Sequence, residues 1–160
     1  MRVAVIADTH LPHGSRRLSD ACLRELGRAD LILHAGDFVA ADVFEDLREL
    51  APVEAVRGNR DDAELQALLP ARRVVDIGGH RIGMVHEPGR KIGREARLAA
   101  LFPGCDVVVY GHTHVPDATR HGGLLLLNPG SPTERRRAPA RTMATIEVTG
   151  SGLDTNICSV

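Results

Sequence analysis

Apolar residues fall along this chain in short runs, and two periodicities sort them. Val3-Ala4-Val5-Ile6-Ala7, Leu31-Ile32-Leu33, Val53-Glu54-Ala55-Val56, Ile82-Gly83-Met84-Val85 and Val107-Val108-Val109-Tyr110 are brief and rich in β-branched residues. Each is bounded by Gly, Pro or polar residues, which predicts buried strands. Between the early runs, Leu18, Cys22, Leu23 and Leu26 recur at helical spacing, as do Val43, Phe44, Leu47 and Leu50. Each set predicts a helix with one apolar face. Strand, helix, strand, helix predicts a βαβ wind with parallel strands, an α/β fold.

The second half is richer in strands. Gly78-Gly79-His80 separates Arg73–Ile77 from Arg81–Val85, and Gly122-Gly123 separates Thr119–His121 from Leu124–Leu127. Gly150-Ser151-Gly152 separates Thr142–Val148 from Leu153–Cys158. Each reads as a hairpin. Arg94 to Phe102 reads as an amphipathic helix stopped by Pro103-Gly104. With 160 residues and no repeat, linker or low-complexity tract, the expectation is a single domain over residues 1–160.

The ends of the strand runs carry the chemistry. They read Asp8-Thr9-His10, Gly36-Asp37, Gly58-Asn59, His86 and Gly111-His112-Thr113-His114. In parallel α/β sheets, sites form beyond the carboxyl ends of the strands. The donors are carboxylate, imidazole and one amide, with no thiolate. That mix suits Mn, Fe, Zn or Ni rather than a thiolate zinc or iron–sulfur site. Asp37, central in the order, is the choice to bridge two metals through its two oxygens. Two ions roughly 3.5–4 Å apart can clamp both oxygens of an in-line phosphoryl displacement and lower the pKa of a bound water.

Taken singly, these motifs have plainer readings. Asp-x-His is commonly a turn with a capping carboxylate, Gly-Asp a loop signal, and Gly-Asn a left-handed turn. A lone His86 would be a hydrogen-bonded histidine. His112-Thr113-His114, read as strand, would aim both imidazoles to one side. The order of the set and its shared setting at strand ends carry the argument.

These blocks, in this order, resemble the motif blocks of the calcineurin-like metallophosphoesterases. Ala7-Asp8-Thr9-His10, His34-Ala35-Gly36-Asp37 and Asn128-Pro129-Gly130-Ser131 look like the small bacterial and archaeal phosphodiesterases of that superfamily. The resemblance spans roughly residues 1–133. It implies a four-layer α/β/β/α sandwich, two mixed sheets face to face with helices outside. It implies that Asp8, His10 and His114 hold one metal and Asn59, His86 and His112 the other. Asp37 would bridge them, with a bridging hydroxide as nucleophile and Mn²⁺ the first choice of ion.

Two positions depart from that pattern. Many family members carry His after the Asn of the Gly-Asn block; here it is Arg60, followed by Asp61. A guanidinium does not act as a general acid near neutral pH, but it can hold a phosphate oxygen through two donors. Arg60 is therefore a candidate catalytic residue beside Asp37, with a solvated loop residue as the alternative. Glu87 stands where Gly commonly follows the His, and reads either as a partner of a ligand or as a charge that repels anions. His13 could touch a substrate phosphate, and His34 could orient a ligand. Glu134 to Arg141, with Arg135-Arg136-Arg137, is the one charge run and reads as a solvated loop within reach of substrate phosphates.

Composition narrows the partners. A net charge of −1, one Tyr, three Phe and no Trp give no specific nucleic-acid surface. No apolar stretch approaches the ~18 residues a spanning helix needs. Met1 runs almost directly into the first strand, so no signal peptide is expected. Cys22, Cys105 and Cys158 are isolated and odd in number, which suits free thiols in a reducing cytoplasm. The expectation is a cytoplasmic, metal-dependent phosphodiesterase acting on a small phosphoester, with homo-oligomerisation left open. Its rivals are a non-catalytic protein-binding scaffold of the same fold, as a retromer subunit is, and a nucleotide pyrophosphatase or phosphomonoesterase.

Overall fold

The computed structural model describes residues 1–160. The parallel wind appears as expected: β1 (Arg2–Ile6), α1 (Asp20–Leu26), β2 (Leu31–His34), α2 (Ala41–Arg48) and β3 (Val53–Ala55). They are followed by α3 (Ala63–Leu68), β4 (Arg72–Ile77), β5 (His80–Val85), α4 (Arg94–Leu101) and β6 (Val107–Tyr110). The chain ends with β7 (Asp117–His121), β8 (Leu124–Asn128), β9 (Thr142–Thr149) and β10 (Gly152–Ser159). Two five-stranded mixed sheets result, ordered β10-β9-β1-β2-β3 and β4-β5-β6-β8-β7. β1, β2 and β3 run parallel, as do β5, β6 and β8, and the outer pairs are antiparallel. All three glycine hairpins form with two-residue turns, since Ile77 pairs with His80, His121 with Leu124 and Thr149 with Gly152.

The layers follow from alternation along each strand. Val3, Val5 and Ala7 of the first strand face the same inner core as Leu31, Leu33, Ile82, Met84, Val107, Val109, Leu125 and Leu127. Ala4, Ile6 and Ile32 face outward, onto Cys22 and Leu26 of α1, Val43, Phe44 and Leu47 of α2, and Leu65 of α3. On the other sheet, Val108, Tyr110, Leu124 and Leu126 face Leu98 of α4 and Phe102. The result is the α/β/β/α sandwich.

Three local expectations fail. Leu23 and Leu50 do not complete the helical faces; they are 40% and 39% exposed. α1 and α2 are only 7 and 8 residues long, so each buries little more than one stripe. α3 gave no clear sequence signal, because only Leu65 of its six residues is buried. Its start is set instead by Asp62, whose side chain accepts from the Leu65 N–H at 2.9 Å. His112-Thr113-His114 is loop, not strand, with φ of 70° at His112 and 58° at His114.

Candidate metal centre

All seven predicted donors lie just past the carboxyl ends of β1, β2, β3, β5 and β6. Those strands belong to both sheets, so the site sits where the two sheets meet at one edge. Adjacent loops lock together there: the Asp8 N–H donates to Gly36 O at 3.0 Å and the His10 N–H to Asp37 O at 3.0 Å. Asp8, His10, Asp37, His112 and His114 all adopt positive φ. That conformation is uncommon for non-glycine residues and clusters at functional sites. Gly58 permits the close approach, for a Cβ there would lie 2.1 Å from Asp37 Oδ1.

The donors form two groups. In the first, His10 Nε2 and His114 Nε2 lie 3.2 Å apart, and Asp8 Oδ1 lies 3.3 Å from His114 Nε2. In the second, His86 Nε2 lies 3.1 Å from Asn59 Oδ1 and 3.4 Å from His112 Nδ1. Asp37 Oδ2 stands between them, 3.6 Å from His10 Nε2 and 3.3 Å from His86 Nε2. Asp37 Oδ1 accepts the Arg60 backbone N–H at 2.8 Å, so Oδ2 is the oxygen turned to both groups. The strand argument for His112 and His114 is corrected. The two imidazoles diverge, one into each group, because a left-handed loop does not alternate as a strand does.

Tautomers show what the site lacks. The carbonyl of Glu134 accepts from His114 Nδ1 at 3.1 Å, and that of Ala35 from His86 Nδ1 at 2.8 Å. Both histidines therefore turn a lone pair at Nε2 toward carboxylate or amide oxygen. Asp8 Oδ1 is buried without a hydrogen-bond partner. Such a buried convergence calls for positive charge, supplied either by a second proton on the rings or by a bound cation. Burial alone would raise the Asp8 carboxyl, but His10, His114 and His86 hold it well below the usual carboxylate range. Burial alone would lower His86, but Asp37 and Asp8 raise it. Asp37 is likewise lowered against its burial, chiefly by His86. Asp8, His10 and His114, and Asp8, Asp37 and His86, each converge as a metal ligand set would. Mixed N and O donors fit a divalent ion.

Supporting residues are of two kinds. His34 is fully buried and accepts the Gly36 N–H at Nδ1, so its Nε2 donates to Thr9 Oγ1 at 3.1 Å. Burial pushes its pKa down to about 3, which keeps it neutral. Asn128 and Ser131 also act from behind. Asn128 donates to Gly111 O and Thr113 Oγ1, and Ser131 Oγ donates to Asp8 O at 2.7 Å. Asp61 is a loop staple, accepting from the N–H groups of Gly58 and Val39.

The donors open into a cleft of 690 Å³ lined by His10, His13, Arg16, Asp37, Val39, Asn59, Arg60, His112, Glu134 and Arg136. Arg60 and His13 thus reach the cleft. Glu87 does not line that cleft; it is exposed and lines an adjoining 330 Å³ depression with Arg57, Arg72 and the donors Asn59 and His86. Arg136 is the member of the basic run that faces the site. Arg16 was not singled out in the sequence, and Glu134 was read there only as the start of the charge run.

Known proteins are similar to this chain in sequence and fold. The chain is 36% identical over 159 residues to a probable metallophosphoesterase of Methanothermobacter thermautotrophicus, covering 98% of this chain and 91% of that one. The zinc complex of wild-type Vps29 from Entamoeba histolytica is similar at a TM-score of 0.82 and 28% identity, covering 98% and 91% of the two chains. YfcE, a phosphoesterase from E. coli, is similar at a TM-score of 0.67 and 25% identity, covering 92% and 88%. The family model for the calcineurin-like phosphoesterase superfamily domain matches residues 1–151. Every convergent donor lies inside that span, and the chain belongs to the calcineurin-like phosphoesterase superfamily.

Proposed function

We propose that this protein is a metal-dependent phosphodiesterase that holds two divalent ions, Mn²⁺ first among them. One observation carries the reading: a single carboxylate oxygen, Asp37 Oδ2, faces two donor groups at 3.6 and 3.3 Å. Asp8, His10 and His114 would hold one ion, and Asn59, His86 and His112 the other. When bound, the pair would supply a water of lowered pKa and positive charge for the phosphoryl oxygens. The chain's own residues do the rest. Asp37 is aimed by the Arg60 N–H, which fixes its rotamer and leaves one oxygen free. The Arg60 guanidinium lines the cleft and holds a phosphate oxygen through charge-assisted hydrogen bonds. It cannot protonate a departing alkoxide, so rate should rise steeply as the leaving group becomes more acidic. Isolated free cysteines suit a cytoplasmic setting.

The likeness to Vps29 favours a second reading, a scaffold that binds metal without turnover. Metal content does not separate the two, since that Vps29 is itself described with zinc. Turnover does. Chelator-stripped protein is reloaded with Mn²⁺ or Mg²⁺ and assayed on diesters, monoesters and nucleotides. The expected result is hydrolysis of nitrophenyl diesters restored by Mn²⁺ and poorly by Mg²⁺. Arg60→Ala should mainly raise KM. Full turnover in protein shown to be metal-free would refute the mechanism, and preferred hydrolysis of monoesters or pyrophosphates would move the substrate class.

A further inference from the structure

One wall of the cleft carries charge that the metal donors do not use. Arg16 Nη2 lies 3.0 Å from Glu134 Oε1, and Arg136 Nε lies 3.6 Å from Glu134 Oε2. Glu134 is built into the centre. Its backbone carbonyl accepts from His114 Nδ1 at 3.1 Å, and its N–H donates to Ser131 Oγ at 3.0 Å. Ser131 Oγ in turn donates to Asp8 O, and the preceding Thr133 donates to Thr9 O at 2.7 Å. The residue that seats both arginines is thus tied to the backbone of Asp8-Thr9 and to the His114 ring.

We propose that Arg16 and Arg136, seated on Glu134, form a subsite for a second phosphate group of the substrate, one side chain beyond the metal donors. The inference rests on the phosphoesterase reading of the same cleft. Stability accounts for little of the arrangement, because ion pairs whose side chains remain 27–48% exposed contribute little. Arg16 and Arg136 each pair with Glu134 alone among the carboxylates, the second at a distance too long for a hydrogen bond, and both residues line the cleft. Arg97, elsewhere, gives most of its donors to the carbonyls of Pro88, Arg90 and Ile92. One carboxylate cannot neutralise two guanidinium groups, so a net positive charge remains with most of its N–H donors free. A phosphate matches that geometry through paired N–H···O contacts. Arg136 also has a φ of 44°, a conformation that arginine rarely adopts and that clusters at functional sites.

The test uses a matched pair of diesters, thymidine 5′-(4-nitrophenyl phosphate) with and without a 3′-phosphate. With metal-loaded protein, the ratio of kcat/KM should favour the 3′-phosphorylated compound by about tenfold, the scale of one charge-assisted contact. The ratio should fall toward one in Arg16→Ala and in Arg136→Ala, and Arg136→Lys should keep part of it. Calorimetry with thymidine 3′,5′-bisphosphate against thymidine 5′-monophosphate gives the same comparison without turnover. If neither diester is hydrolysed but the bisphosphate preference persists and depends on both arginines, the phosphoesterase reading fails and the subsite stands. A ratio of one in the wild type, a ratio that the variants leave unmoved, or binding of neither nucleotide overturns the subsite.

Discussion

The two donor groups are built differently. Asp8, His10 and His114 are 0%, 6% and 1% exposed, whereas Asn59 and His112 are exposed and only His86 of their group is buried. The first group grows from β1, which lies inside its sheet between β9 and β2. Behind it stand His34, Thr9, Ser131, Thr133 and the Glu134 carbonyl. Asn59 follows β3, the three-residue edge strand of that sheet, and its side chain leans on His112 at 3.1 Å. His112 is positioned mainly through its backbone, whose N–H donates to Asp8 Oδ2 at 2.9 Å. One half is preorganised by buried hydrogen bonds, and the other is assembled partly by its own ligands. Preorganised donors hold an ion more tightly, because less ordering remains to be done on binding.

The largest effect should come from the residue both halves share. Asp37→Asn removes the charge that faces both groups while keeping nearly the same shape. Activity should drop at least ~100-fold, the scale on which lost ligand support is felt. The fall should exceed that of Asn59→Ala, which touches one half only. Steady-state rates with metal analysis of each purified variant decide it. Near-normal rate and metal stoichiometry in Asp37→Asn would remove Asp37 from the shared role.

A smaller effect separates the halves. Titrating chelator into the metal-loaded protein should remove one ion before the other, with affinities at least ~10-fold apart. The labile ion should be the one at Asn59 and His112. Asn59→Ala should keep one tightly held ion, and His114→Ala should weaken the tight site. Simultaneous loss of both ions, or a doubly empty Asn59→Ala protein, would show that the halves are equally held.

The strands and the parallel wind were legible because each rests on a local signal, whereas the α/β/β/α layering was expected only from the resemblance to the family. Alternating apolar residues make Val3 and Val5 face one core and Ala4 and Ile6 the other. The pairing of donors was less legible from periodicity. His112 and His114 look like alternate strand residues, but a left-handed loop sends one to each group. That geometry depends on Gly111 packing against Ala35 O and Ala7, contacts made across the chain. The pairing of Arg16 with Glu134 was invisible for the same reason. Glu134 reads only as part of a charge run, and the two meet because Ser131 and Thr133 pin residues 131–134 onto Asp8 and Thr9. α3 was missed because its one buried residue leaves no periodicity to read.

The smallest effect concerns the support behind the buried half. His34 is held neutral, with a folded pKa of about 3 against an ordinary value of 6.5. The unfolded chain takes up a proton at His34 as pH falls through 6.5, while the folded protein does not until about 3. The stability that His34 gives is therefore fully present above pH 6.5 and is lost as pH falls from there toward 3. His86 runs the other way in metal-free protein. Its raised folded pKa contributes stability below its unfolded value, lost as pH rises through the folded one. Comparing wild type with His34→Gln cancels the His86 contribution, because Gln can still donate to Thr9 but cannot titrate. Chemical denaturation of both metal-free proteins across pH 6.5 to 4 should show wild type losing ground to His34→Gln, by up to about 1.4 kcal/mol per pH unit. A difference independent of pH would mean that His34 is already protonated in the fold. The hydrogen bond from Gly36 N–H to Nδ1 would then have to be abandoned, leaving only the donation from Nε2 to Thr9 Oγ1.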